Sequence, residues 1–143
     1  MPKYFTRDQA EHIVPKVEAL MRDALRLKAQ YAEAEQVLKT TVHEITMRGG
    51  MSVDKERMLE MQRRRDSAGP KLQAILESIQ EHGCLVKDLD TGLLDFPTLY
   101  DGREVYLCWR LGESRIEFWH GVDEGFQGRK PIDEDFLARH SDG

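Results

Sequence analysis

A chain of 143 residues, 40% hydrophobic and 33% charged, can bury one real core, and its apolar runs all fall short of the roughly 18 residues that a membrane span needs. Its charge is uneven: residues 1–83 carry 14 Lys and Arg against 13 Asp and Glu, while residues 84–143 carry 7 against 13, so the C-terminal part holds a net −6. That excess of acid argues against a phosphate-binding surface there, because nucleic-acid affinity rests on clustered cations that displace counterions, and it favours cations or basic partners.

The first dozen residues, MPKYFTRDQAEH, turn charged at once and have no apolar core segment, which predicts no secretion signal and a cytoplasmic address. Thr6-Arg7-Asp8-Gln9 fits a capping box and starts a helix at Arg7. Apolar or small residues then recur near heptad spacing at Val17, Ala24, Tyr31, Leu38 and Ile45, with Leu20, Leu27, Ala34 and Val42 as the second position of each pair. Pro15 either kinks this helix or opens a second segment. Arg48-Gly49-Gly50 stops it, and Ser52 or Asp54 caps a second helix that carries Met58, Met61, Arg65, Ala68, Leu72, Ile75 and Ile79 until His82-Gly83. Gly69-Pro70 bends that helix without dividing it, since the heptad phase continues across the pair.

The two helices form an antiparallel, coiled-coil-like hairpin over residues 1–83. At 1.5 Å per residue, helices of about 40 and 30 residues reach roughly 60 and 45 Å, more than a small β module can cover. Leu25, Val37, Met47 and Leu59 widen the apolar surface, so a homodimer through a four-helix bundle is expected.

Past Gly83 the period changes to two. In 103–111, Val105, Leu107, Trp109 and Leu111 point one way and Glu104, Tyr106, Cys108 and Arg110 the other. Asp101-Gly102 before it is a two-residue hairpin turn, and Ile116 and Phe118 in 115–120 are expected to extend the apolar face. Segments 84–88 and 93–96 flank another turn. The fold class is therefore α+β: the helical hairpin, an antiparallel β meander of about four strands over 84–130, and an acidic, partly disordered tail over 131–143 in which Pro131 to Phe136 can hold one more turn that packs back, all in one structural unit. Cys84 and Cys108 fall within strands and read as small buried hydrophobes.

Tyr4-Phe5-Thr6 with Pro15, then Gly83, Val86-Lys87-Asp88, Gly92-Leu93-Leu94-Asp95-Phe96-Pro97, Leu107-Cys108-Trp109-Arg110-Leu111-Gly112-Glu113, Trp119-His120-Gly121, Gly125-Phe126 and Gly128-Arg129 together resemble an uncharacterised prokaryotic family, the domain of unknown function number 2203. The resemblance spans nearly the whole chain and implies a shared fold. It brings no activity, substrate or catalytic residue.

The chemistry of the residues points in three directions. Lys87, Tyr106, Arg110, His120 and Arg129 are candidates for a polar pocket with aromatic walls, under the Gly-rich loop 121–128, suited to a small anion. The competing expectation is that these cations bridge Glu104, Glu113 and Glu117 across the sheet. Asp88, Asp90 and Asp95 of the turn region, with His120, Asp123 and Glu124 near, can supply oxygen and nitrogen ligands to a divalent metal, Asp88, Asp90, His120 and Asp123 being the set that would activate water, although no metal-motif spacing is present. Against this, Asp88 and Asp90 can simply shape their turn, and Asp95 can pair with Lys87 or Arg110.

Arg63, Arg64 and Arg65 form the basic cluster of the second helix, but Glu60 and Asp66 offset it, which makes nucleic acid an unfavoured partner. No nucleophile stands ready for His120, so no catalytic residue is assigned and no cofactor beyond the metal is implied. The leading expectation is a non-enzymatic, self-associating module whose sheet face and Gly-rich loop bind a partner or small ligand. The alternatives are the metal-assisted, hydrolase-like enzyme and the nucleic-acid-associated helical protein.

Overall fold

The computed structural model describes residues 3–47 and 55–143. It is an α+β fold: helix α1 (Arg7–Met47) and helix α2 (Lys55–Glu81), then an antiparallel sheet of β1 (Leu85–Asp88), β2 (Leu93–Tyr100), β3 (Arg103–Arg110) and β4 (Phe118–Gly121), extended by the two-residue strands β5 (Lys130–Pro131) and β6 (His140–Ser141) around a short helix α3 (Glu134–Arg139). The strand order is β1-β2-β3-β4-β5, with β6 paired to β2. The helix stop at Arg48-Gly49-Gly50 and the caps at Ser52 and Asp54 lie outside the described residues. No helix among the described residues is long and apolar enough to cross a membrane. Two compact units result, one of Met1–Arg22 with Leu76–Gly143 and one of Asp23–Ile75, each helix contributing to both.

In the first unit, the start of α1 is tied by a reciprocal cap: the Thr6 Oγ1 accepts from the Gln9 amide at 3.2 Å, and the Gln9 side chain accepts from the Thr6 amide at 2.9 Å. Val14, Val17 and Met21 are buried, as are Ile79 near the end of α2 and Leu94, Phe96, Leu107 and Trp109 of the sheet. Phe5 packs edge-on against Phe96 and donates its amide to the Pro97 carbonyl at 2.8 Å. The hairpin between β2 and β3 turns at Asp101 and Gly102, both at positive φ (51° and 79°), as a two-residue turn matched to strand twist requires.

β4 differs from expectation. It starts at Phe118, after an irregular link in which Ile116 is buried with its amide given to Glu11 Oε1 and its carbonyl taken by Arg7 Nε. The two-residue alternation does not carry across that link. Phe118 pairs with Cys108 and Trp119 with Leu107, so Trp119, not Phe118, shares the face of Leu107 and Trp109.

The tail holds a short helix that packs back, near the turn expected at Pro131 to Phe136. Asp133 caps α3 by accepting from the Phe136 amide at 2.8 Å, and Phe136 is 1% exposed, stacked with Tyr100, Trp119 and His140. The acids that suggested disorder instead stand at the N-terminus of α3, where Glu134 and Asp135 complement the helix dipole.

In the second unit, Ala34, Leu38 and Met61 form a buried cluster with Val37 against it, joining residues of α1 and α2. Tyr31, Val42 and Leu59 remain exposed. α1 runs through Pro15 and α2 through Pro70 as single helices.

Candidate functional site

The register of three strands determines what gathers on the face of the sheet opposite Leu94, Phe96, Leu107 and Trp109. Asp95 lies directly across from Cys108, and Pro97 from Tyr106. Tyr106 in turn faces His120 on β4. Since residues two apart on a strand share a face, Asp95, Cys108, Tyr106 and His120 stand together. Asp95 and Cys108 are fully buried and His120 is 3% exposed.

The His120 ring is held at both nitrogens. Nδ1 is 2.8 Å from the Gly121 carbonyl oxygen, which can only accept, so Nδ1 carries a hydrogen. Nε2 is 3.0 Å from each Asp95 carboxyl oxygen. A bare lone pair on Nε2 would repel a carboxylate, so a proton lies between the two groups and the pair is an imidazolium–carboxylate or its neutral equivalent. Burial raises the Asp95 pKa above the usual carboxylate value, with His120, Lys87 and the Cys108 thiol pulling it back. Burial also pushes both thiols up to about 12, Cys84 deep beside the Ile79 carbonyl and Cys108 beside Asp95.

The loop after β4 folds around one acid. Glu124 Oε1 accepts from the Gly121 amide at 3.0 Å and from Lys130 Nζ, and these bonds, Lys130 first, lower its pKa. A Cβ at Gly128 would approach the Glu124 Cβ to within 2.8 Å, which favours glycine there, while one at Gly121 would meet only the movable carboxylate end of Glu124, at 2.9 Å. This geometry brings Phe126 under two cations: Arg110 at 5.4 Å and Arg129 at 4.7 Å from the ring centre. Arg129 also lies 4.1 Å over Phe118, donates to the Cys108 carbonyl, and grips both Glu113 oxygens at 2.7 and 2.9 Å. Lys87 stands 5.0 Å over the Tyr106 ring.

The five pocket candidates thus belong to one face, in different states. Arg129 is committed to Glu113, as cross-sheet pairing predicts, and His120 to Asp95. Lys87 and Arg110 are exposed and rest on aromatic rings, and no carboxylate is within ion-pair distance of either among the described residues. The proposed metal set does not assemble: Asp88 Oδ1 instead caps the Asp90 amide at 3.0 Å, Glu124 organises its own loop, and Asp90 and Asp123 are exposed and outside the group around His120. Asp95 pairs with His120 and not with Lys87 or Arg110.

The sequence read Cys108 only as a small buried hydrophobe and Asp95 as one acid of a metal set or a partner of Lys87 or Arg110; the β2–β3 register sets Asp95 across from Cys108, and the β3–β4 register, which follows an irregular link, brings His120 to them. The alternation of Tyr106, Cys108 and Arg110 was the available signal. Elsewhere, a surface hollow of about 530 Å³ beside the start of α1, lined among others by Tyr4, Phe5, His12 and Ile13, shares none of these residues. Arg64 pairs with Glu60 and Arg65 with Glu35 and Asp66, while Arg63 Nε donates to the Leu59 carbonyl, so two of the three arginines of the run are offset by carboxylates.

Residues 3–132 match the family described as uncharacterized conserved protein DUF2203, and the chain belongs to that family. No curated protein and no solved structure matches it.

Replacing Asp95 by Ala leaves a buried imidazole without its counterpart and lowers unfolding stability by about 3 kcal/mol in urea titrations. Asp95→Asn costs under about 1.5 kcal/mol, because the amide can donate to Nε2 while its oxygen accepts from Cys108. The thiols give a pH dependence of known sign. Their folded pKa values, about 12, lie above the ordinary 9.0, so their contribution is complete below pH 9.0 and is lost as pH rises toward 12. Stability should therefore decline over that range, and less steeply in Cys84→Ala than in the parent.

Proposed function

We propose that this protein is a non-enzymatic binding module that takes a small phosphate- or carboxylate-bearing anion on the polar face of its sheet, between β1, β3 and the loop after β4. The observation that carries this reading is the state of the cations. Glu113 is satisfied by Arg129 and Asp95 by His120, while Lys87 and Arg110 stay exposed, held over Tyr106 and Phe126 and outside any ion pair among the described residues. An aromatic ring orients a cation without cancelling it, so each keeps donors for an incoming oxyanion. The acidic surroundings limit this attraction to the few ångströms around each donor, which suits a small ligand better than a polyanion. Two free, buried cysteines suit a reducing cytoplasm.

Inorganic phosphate and succinate titrated into the protein, followed by amide chemical shifts, should move residues around Lys87 and Arg110, with affinity that weakens as salt rises. Lys87→Ala and Arg110→Ala should each weaken binding about tenfold. Absence of any shift, or binding indifferent to both substitutions, overturns the reading.

The protein also self-associates as a homodimer through the unit Asp23–Ile75. Tyr31, Val42 and Leu59 are 39%, 54% and 54% exposed on two helices whose shared buried cluster is small, and a second copy would cover them. Light scattering at micromolar concentration should give twice the chain mass, and Val42→Glu with Leu59→Glu should give the single chain mass without loss of helicity. A monomeric parent protein rules the dimer out.

A further inference from the structure

We infer that Asp95, Cys108 and His120 form a zinc site that staples β2, β3 and β4. The inference is independent of the anion-binding reading. One ligand atom from each residue, a carboxyl oxygen, Sγ and a ring nitrogen, lie within 4.8 Å of one another, in a place sealed from solvent. Ligands around a tetrahedral zinc stand roughly 3.3–3.8 Å apart, so His120 Nε2 and the Asp95 carboxylate, 3.0 Å apart, need only separate slightly while Cys108 Sγ, within 4.8 Å of both, completes the three. One oxygen, one nitrogen and one sulfur suit zinc far better than magnesium or calcium, which take oxygen alone.

Three further features fit. The Gly121 carbonyl holds the hydrogen of His120 on Nδ1, which leaves Nε2, the nitrogen aimed into the group, as the ligating atom. An outer carbonyl that fixes the tautomer in this way is the usual support of a metal-bound imidazole. The gap between Nε2 and the carboxylate must already hold a positive species, and in the metal-free protein that species is a proton. The charge balance is also exact in kind: zinc arrives with two positive charges, the Cys108 S–H loses one proton to form the Zn–S bond, and the proton between His120 and Asp95 leaves as the Zn–N and Zn–O bonds form. Nothing is oxidised or reduced. A neutral buried group is replaced by another neutral buried group, so binding carries no net charge into the core.

The test uses protein prepared without an affinity tag, unfolded and refolded under reducing conditions with zinc, then freed of loose metal by gel filtration. Elemental analysis should find about one zinc per chain, and an indicator in weak buffer should register about two protons released per zinc. Cobalt in place of zinc should give a near-ultraviolet thiolate-to-cobalt charge-transfer band. Cys108→Ser should lose that band and most of the zinc, while Cys84→Ser keeps both. Refolded parent protein with native circular dichroism that retains no zinc overturns the inference, as does zinc retained with no thiolate band, which marks adventitious surface binding. The cobalt band of the parent protein decides the matter even if Cys108→Ser fails to fold.

Discussion

One register across β2, β3 and β4 sets both the core of the larger unit and its candidate site. Side chains alternate, so the pairing that sends Leu94, Phe96, Leu107, Trp109 and Trp119 to one face necessarily sends Asp95, Tyr106, Cys108, Phe118 and His120 to the other. A slip of one residue in β4 would bury Trp119 against Asp95 and carry His120 into the apolar core. The apolar face supplies most of the energy that forbids this slip, at roughly 25 cal/mol per Å² of apolar surface removed from water. The polar face adds selectivity, because a misplaced Asp95 would be a buried charge without a partner.

The second face is therefore not a solvated exterior. Most of the potentially costly groups on it are answered by another, Asp95 by His120, Glu113 by Arg129, and the amide of Gly121 by Glu124, while Arg129 Nε is buried without a hydrogen-bond partner. Arg129 is the strut of this arrangement. Its guanidinium meets a carboxylate, a strand carbonyl and two aromatic rings, so it fixes the position of the loop over β3 and β4. With Arg129 and Glu113 occupied in this way, Arg110 is left to rest on Phe126 and point its remaining donors outward.

How much of this was legible in the sequence follows the range of the interactions concerned. Local signals read well: the Thr6–Gln9 cap, the Asp101-Gly102 hairpin and the alternation of β3 all depend on residues a few places apart, and each stands as read. The fold class followed from them. Signals that cross irregular chain did not survive. The phase of β4 was lost in the link after Arg110, where Ile116 is held by side chains of α1 and not by a ladder, and the pairing of Asp95 with His120 was lost with it. The tail misled for a different reason, since composition averages over residues and one phenylalanine, Phe136, outweighs its acidic neighbours by completing an aromatic stack begun by Tyr100 and Trp119.

The acidity of the C-terminal part is itself explained by where its acids went. Asp88 shapes a turn, Asp133 caps α3, Glu124 gathers a loop, Glu113 binds a guanidinium and Asp95 is buried with an imidazole. These carboxylates act within the fold, each at a backbone amide or a cation within hydrogen-bond distance, where local geometry and not net charge decides the field. A net −6 is thus compatible with two exposed cations on the same sheet face. Net charge describes what the molecule repels at a Debye length; the lysine and arginine on Tyr106 and Phe126 describe what it can hold at contact.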